Sequence, residues 1–306
     1  MAMTLVEASK LSNDVLLEGV AETVVKESAV LAKLPFIEIV GNGLTYNREN
    51  ALPTVDFYDP GDPWAESTPT FTQATAVLKI MGGDADVDNF LKATRSNIQD
   101  LEAAVLAIKA KALKNKFEEI FLYGNATTYP KQFTGLRMLV NTTVASDQVI
   151  ACGATGAALT LTLLDQLVDQ CRPGKPDALI MSRRSRRKIK NLTRAAGFNL
   201  ETDRNEFGMF IDVLNGIPFW VSDFQLDTHT LVGSVETATT GATSSVIYAV
   251  KLGESGLAGL TSPGGMTVEP VGSLETKDAT RTRIKWYVSM ALFAVMSAAA
   301  LIGVTD

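Results

Sequence analysis

The sequence predicts an α+β fold. Three observations carry that expectation: a helix long enough to serve as a spine, a polar extended arm with no core of its own, and an alternation of helices and short strands between about residues 150 and 260.

The spine runs from Ser96 to Gly124. Ser96 and Gln99 have capping-box spacing. Leu101, Val105, Ile108, Ala112, Leu113, Phe117, Ile120 and Phe121 recur near helical spacing as one apolar face. Lys109, Lys114, Lys116, Glu118 and Glu119 fill much of the other side, and Gly124 is placed to take the left-handed conformation that closes a helix. At 1.5 Å per residue the rod is about 40 Å long, beyond the usual three or four turns. Other pieces must be laid against it.

Upstream, residues 12–34 read as a helix opened by Ser12 or Asn13, with Val15, Leu16, Val20, Val24 and Leu31 on its apolar side and Pro35 as its stop. Two extended runs follow, Leu44–Phe57 and Thr70–Ile80, flanking the turn signal Asp59-Pro-Gly-Asp-Pro63. Pro53 and Pro69 suit strand edges or ends. The first run has too few apolar residues to cover a face, and a lone hairpin is marginal in water. This arm is therefore expected to lean on another copy of the chain. Gly82-Gly-Asp-Ala-Asp-Val-Asp88 begins like a calcium loop, but Asn89 and Arg95 stand where the loop needs Gly and Glu. It reads instead as a turn whose Asp residues cap the short helix that follows.

Beyond the spine, 125–135 is a loop and Leu136–Val140 a short apolar run. A helix capped by Thr162 carries Leu163, Leu164, Leu167 and Val168 on one face and ends at Pro173-Gly174. Asp177–Met181 reads as a buried strand running into the one basic cluster, Ser182-Arg-Arg-Ser-Arg-Arg-Lys-Ile-Lys190. Ser182 can cap a helix there, whose cations face solvent, phosphate or an acidic neighbour such as Glu201, Asp203 or Glu206, solvent being the favoured reading. Further strands fall at Ile217–Val221, Ser245–Val250 and Met266–Val271, and a closing strand from Ile284 is expected to return to the spine. Trp286–Val304 is apolar enough to span a bilayer, but Ile284, Trp286, Val288, Met290 and Leu292 alternate with their neighbours at strand period.

The 306 residues carry a net charge of −6, against a dedicated nucleic-acid binder with a basic face. Cys152 and Cys171 are too few for a disulfide framework and lack zinc-site spacing, so they read as small buried residues. Glu7 arrives too early for a signal peptide. His229 is the only histidine, and no nucleophile elbow, Walker loop or dinucleotide fingerprint accompanies it. No catalytic, cofactor or metal residue is assigned.

Several stretches, in their order, resemble the major capsid proteins of tailed bacteriophages, the Hong Kong 97-type fold. Phe117-Glu-Glu-Ile-Phe-Leu-Tyr-Gly-Asn125 with Phe133-Thr-Gly-Leu136 resembles that family's spine end and loop. Leu214-Asn-Gly-Ile-Pro-Phe-Trp-Val-Ser-Asp223 resembles an axial-domain strand. Ser244-Ser-Val-Ile-Tyr-Ala-Val250 and Met266-Thr-Val-Glu269 resemble late strands, while Arg283-Ile-Lys-Trp-Tyr-Val288 and Ala298-Ala-Ala-Leu-Ile-Gly-Val304 resemble the chain end.

The resemblance implies an N-terminal arm and helix over 1–40, an extended E-loop over 41–80, a peripheral domain over 81–140 and 263–306, and an axial domain over 141–262. It implies a structural protein that forms hexamers and pentamers of an icosahedral virion shell around double-stranded DNA, assembled in the host cytoplasm. Its partners would be copies of itself, a separate scaffold, a portal and, as an optional addition, a decoration protein. Cofactors and membranes have no part in it. Some members crosslink through an E-loop lysine; residues 50–76 hold none and Lys79 lies at the base, so no crosslink is expected. Pro53, Phe57, Tyr58, Trp64, Arg183, Arg184, Arg186 and Arg187 are the candidate subunit contacts. An encapsulin-type compartment shell, an α/β enzyme with an unrecognised site and a membrane-anchored protein are the alternatives.

Overall fold

The computed structural model describes residues 29–51, 53–64, 66–95, 101–141, 146–153, 156–198, 200–204, 210–222 and 244–305. The Ser96–Gln99 cap, most of the helix over 12–34, Glu206 and His229 lie outside the described residues. In chain order the strands are β1 (Phe36–Glu38), β2 (Gly43–Ala51), β3 (Thr70–Val77), β4 (Lys79–Asp88), β5 (Val149–Ala151), β6 (Ala157–Ala158), β7 (Ala178–Met181), β8 (Glu201–Arg204), β9 (Phe210–Leu214), β10 (Ile217–Val221), β11 (Ser245–Val250), β12 (Leu257–Ser273), β13 (Ala279–Leu292) and β14 (Ala298–Thr305).

They form a four-stranded sheet in the order β1-β12-β13-β4, a larger sheet in the order β5-β14-β11-β7-β10-β9-β8 with β6 alongside β14, and the separate hairpin β2-β3. The spine helix, Leu101–Tyr123, lies on the four-stranded sheet. Phe117 meets Trp286 of β13 at 5.0 Å between ring centroids and Phe36 of β1 at 6.1 Å. The larger sheet is covered on both faces. Along β7, Ala178 and Ile180 join the core shared with the spine, while Leu179 and Met181 join a second core under Leu164, Leu167 and Ile189 of two helices, Leu161–Gln170 and Arg183–Ala195. A strand buried on both faces needs an unbroken apolar run, which is what this stretch supplies.

The same logic explains the apolar end of the chain. Ala298, Ala300 and Ile302 face one core and Ala299, Leu301 and Val304 the other. Trp286–Val304 is thus the end of β13, a 3₁₀ turn at Val295–Ser297 and β14. Among the described residues no helix is long and apolar enough to cross a membrane. β14 hydrogen-bonds to β11 and β5 in the larger sheet, while the closing strand expected from Ile284 is β13, which lies against the spine as expected.

Four local expectations are corrected. Glu118 is 5% exposed and buried in the face expected to be apolar, whereas Ile108 is 40% exposed. Among the described residues, burial along the spine is deepest over its last turns, at Phe117, Phe121 and Leu122. Gly124 is absent from the residues with positive φ. It is required for closeness instead, since a Cβ there would collide with the carbonyls of Phe133 and Ile120, and Gly135 N–H donates to its oxygen at 2.8 Å. The helix cap is Thr160, whose hydroxyl accepts from Leu163 N–H at 3.3 Å, two residues before the expected Thr162. Finally, the Asp-rich stretch is strand β4, with only Asp88 capping the helix Asn89–Arg95 by accepting from Phe90 N–H at 2.8 Å.

In β4, Asp84 and Asp86 stand directly opposite Arg283 and Arg281 of β13. Both pairs are bidentate: Arg281 Nε and Nη2 donate to Asp86 at 2.6 and 2.8 Å, and Arg283 to Asp84 at 2.6 and 3.0 Å. Lys277 Nζ also donates to Asp86, at 2.8 Å. The Arg281 guanidinium, aided by Lys277, holds the Asp86 carboxyl well below the usual carboxylate range. A depressed pKa adds stability above the unfolded-state value, and that gain disappears as pH falls through the folded-state value. The melting-temperature gap between wild type and Asp86→Asn is therefore expected to be constant above roughly pH 5 and to shrink below about pH 4. A gap independent of pH down to about 2 would refute this.

Candidate assembly surfaces

Two surfaces collect the predicted contact residues, and each is built from a different local logic. The first is the arm. Its base is anchored: Leu44, Tyr46, Ala76, Leu78 and Phe293 pack round Ile39, Leu260 and Ala291. Tyr46 meets Phe293 edge-on at 5.0 Å, and Arg48 donates from Nε and Nη2 to the carbonyl of Leu292 at 3.0 and 2.5 Å. Pairing runs from Gly43–Val77 to Ala51–Thr70 and stops there, short of the expected Phe57, since Pro53 has no N–H to donate to a ladder.

Beyond the last pair, the tip is held by its own contacts. Tyr58 stacks on Trp64 at 4.6 Å, Asp59 N–H donates to the Asp62 carboxylate at 3.0 Å, and Ser67 donates to Thr54 O at 3.2 Å. Gly61 takes a φ of 103°, which the expected turn at 59–63 requires. Phe57 is 102% exposed, Trp64 82% and Val55 91%, and Pro53 is also exposed. Large apolar side chains this open, on a segment with no core beneath it, make the tip a candidate contact surface.

The second surface is the helix Arg183–Ala195. Ser182 caps it as expected, accepting from Ser185 N–H at 3.2 Å, and Ser185, Ile189 and Thr193 form its buried side. The charged side turns outward: Arg183 and Arg187 are exposed, Arg184 and Arg186 half-buried. Asp212 of β9 meets Lys190 at 2.7 Å and Arg186 at 3.9 Å. Beside the acids that sequence proximity suggests, Glu201, Asp203 and Glu206, the antiparallel β8-β9 pairing brings Asp212 under the helix.

Two further concavities escaped the sequence reading because each is lined from separate stretches. One, of about 430 Å³, is bordered by Asp165, Asp169, Glu201, Lys175 and Asn215. The other, of about 560 Å³, is apolar and lies between the spine and β12, bordered by Leu31, Phe36, Leu113, Met266 and Trp286. Among the described residues no group of carboxylates, cysteines or histidines could hold a metal ion.

A family model described as SU10 major capsid protein matches residues 61–247, more than half of the chain. The chain belongs to the SU10 major capsid protein family. Solved structures agree in fold. The holo-SrpI encapsulin complex of Synechococcus elongatus PCC 7942 is 17% identical with a TM-score of 0.68, covering 90% of this chain and 87% of that one. The capsid of cyanophage A-1(L) is 14% identical with a TM-score of 0.67, over 92% and 93% of the two chains. Microbacterium phage Oxtober96 gives 15% and 0.62, over 90% of each. No curated protein matches the sequence. The fold is the Hong Kong 97-type capsid fold, and the capsid family is one of structural shell components, not a class of enzymes. A major capsid protein assembles from many copies of the same chain.

Proposed function

We propose that this capsid subunit forms the hexamers and pentamers of a closed icosahedral shell around the double-stranded DNA of a tailed phage. The observation that carries the proposal is the arm: a hairpin fixed at its base by Arg48 and Tyr46, with Phe57 and Trp64 exposed at a tip that has no core of its own. The tip gains burial only by lapping a neighbour. In this reading residues 1–40 are the N-terminal arm, 41–80 the E-loop, 81–140 with most of 263–306 the peripheral domain, and 141–262 the axial domain. The axial domain takes β14 as one of its strands. Pro53, Phe57, Tyr58 and Trp64 contact the next subunit through the E-loop, and Arg183, Arg184, Arg186 and Arg187 do so through the axial domain. Assembly takes place in the host cytoplasm with a separate scaffold and a portal, and a decoration protein is an optional outer partner.

The test is electron microscopy of the purified chain. Closed shells of uniform size are expected, and a monodisperse small oligomer under all conditions would refute the proposal. Because an encapsulin shares the fold, the contents of shells recovered from the native source separate the two readings: packed DNA supports a phage capsid, and an enclosed enzyme supports a compartment shell.

A further inference from the structure

The helices Arg183–Ala195 and Leu161–Gln170 both carry charge at the end where the helix dipole disfavours it. Arg183 and Arg184 open the first with no acid in its first turn, and Asp169 lies in the last turn of the second with no base there. On the first helix Arg183, Arg187, Lys190 and Arg194 recur at spacings of four, three and four, which places them in one stripe on the side opposite Ile189. Lys190 is matched by Asp212. Arg187 and Arg194 are exposed, and no carboxylate pairs with them among the described residues. On the second helix Asp165 and Asp169 share a face one turn apart and border the concavity that Glu201 completes, with Lys175 as its one cation. These three carboxylates are also exposed and without a cation partner among the described residues. Each surface thus carries unpaired charge, at Arg187 and Arg194 on the one and at Asp165, Asp169 and Glu201 on the other, and the two are opposite in sign.

We infer that the basic stripe of one subunit seats against the acidic concavity of the next, a head-to-tail contact that closes rings of this chain. It rests on the shell reading above and names the axial contact within it. Joining different patches on successive copies is the interface type that generates rings. The net charge of −6 favours a protein partner over phosphate for the stripe, since the rest of the chain would repel nucleic acid.

Charge reversal tests the contact. Arg187→Glu with Arg194→Glu is expected to abolish closed shells, as is Asp165→Arg with Asp169→Arg, while the subunits keep wild-type circular dichroism. The fourfold variant restores opposite signs and is expected to regain shells. Wild-type assembly should weaken at 1 M salt, where the Debye length is about 3 Å. Wild-type shell yields from both double variants would overturn the contact, as would a folded fourfold variant that stays unassembled. Arginine reversal that spares empty shells and lowers only their DNA content would assign the stripe to the genome and overturn it equally. A wild-type chain that closes no shell would overturn the shell reading, and this contact with it.

Discussion

Deleting residues 53–69 and rejoining the hairpin is expected to leave a folded, soluble subunit that builds no closed shells. The cut falls where the ladder ends, since Ala51 pairs with Thr70 and, among the described residues, nothing beyond them is hydrogen-bonded as a strand. Phe57 and Trp64 of the removed stretch stand in solvent, and its Tyr58–Trp64 stack and Asp59–Asp62 turn are internal to it. Surface changes away from caps, cores and buried polar groups typically move stability by no more than about 0.5 kcal/mol. Shortening a loop changes its closure entropy only logarithmically. Assembly should respond very differently, because exposed aromatic anchors are the side chains that most often dominate binding energy. Circular dichroism and denaturant unfolding would confirm the fold, and sedimentation would read the shells. Shells at wild-type yield would show that the tip makes no required contact.

How far such a surface can be read from sequence depends on whether its signal is local. The arm was legible because prolines, a Pro-Gly turn and a dearth of apolar residues all lie within one stretch. The two-faced burial of β7 was legible from an unbroken apolar run. The Asp-rich stretch was misread for a physical reason: Asp84 and Asp86 belong to a ladder whose cations, Arg283 and Arg281, lie about two hundred residues away in the chain. Locally, alternating carboxylates followed by a helix cap resemble a turn, and only the partner strand makes them a period-two pattern. Asp212 was missed as the partner of Lys190 for the same cause, since an antiparallel pairing brings it there. The apolar run of β14 fits either sheet, and hydrogen-bonding to β11 decides. Glu118 shows a different limit. Helical phase locates a face to within one position, but which end of a long helix covers the sheet follows from the tertiary packing.

The second large effect is expected inside the subunit. Phe117 is fully buried, and its ring meets Phe36, Phe121, Phe133 and Trp286 at centroid distances of 6.1, 6.2, 5.8 and 5.0 Å. Those residues come from β1, the spine itself, the loop after the spine and β13, so one side chain joins four parts of the chain. Truncation to alanine removes the transfer free energy of the ring and leaves a cavity. Its walls cannot readily collapse, because Trp286 is held by its indole N–H donating to Thr261 Oγ1 at 3.1 Å. Phe133, another wall of the site, belongs to the loop after the spine, and its carbonyl lies so close to Gly124 that a Cβ there would collide with it. Buried Phe→Ala changes cost about 3–5 kcal/mol, and a site that cannot relax belongs at the upper end. Denaturant unfolding of Phe117→Ala should therefore show a lower midpoint with an unchanged slope, the mark of lost stability without a changed unfolded state. Ile108→Ala on the same helix is the internal comparison: Ile108 is 40% exposed, and its loss should fall well below that range. Equal losses at the two positions would mean that the spine is buried along its whole length, and a negligible loss at Phe117 would mean that this aromatic junction does not hold the subunit together.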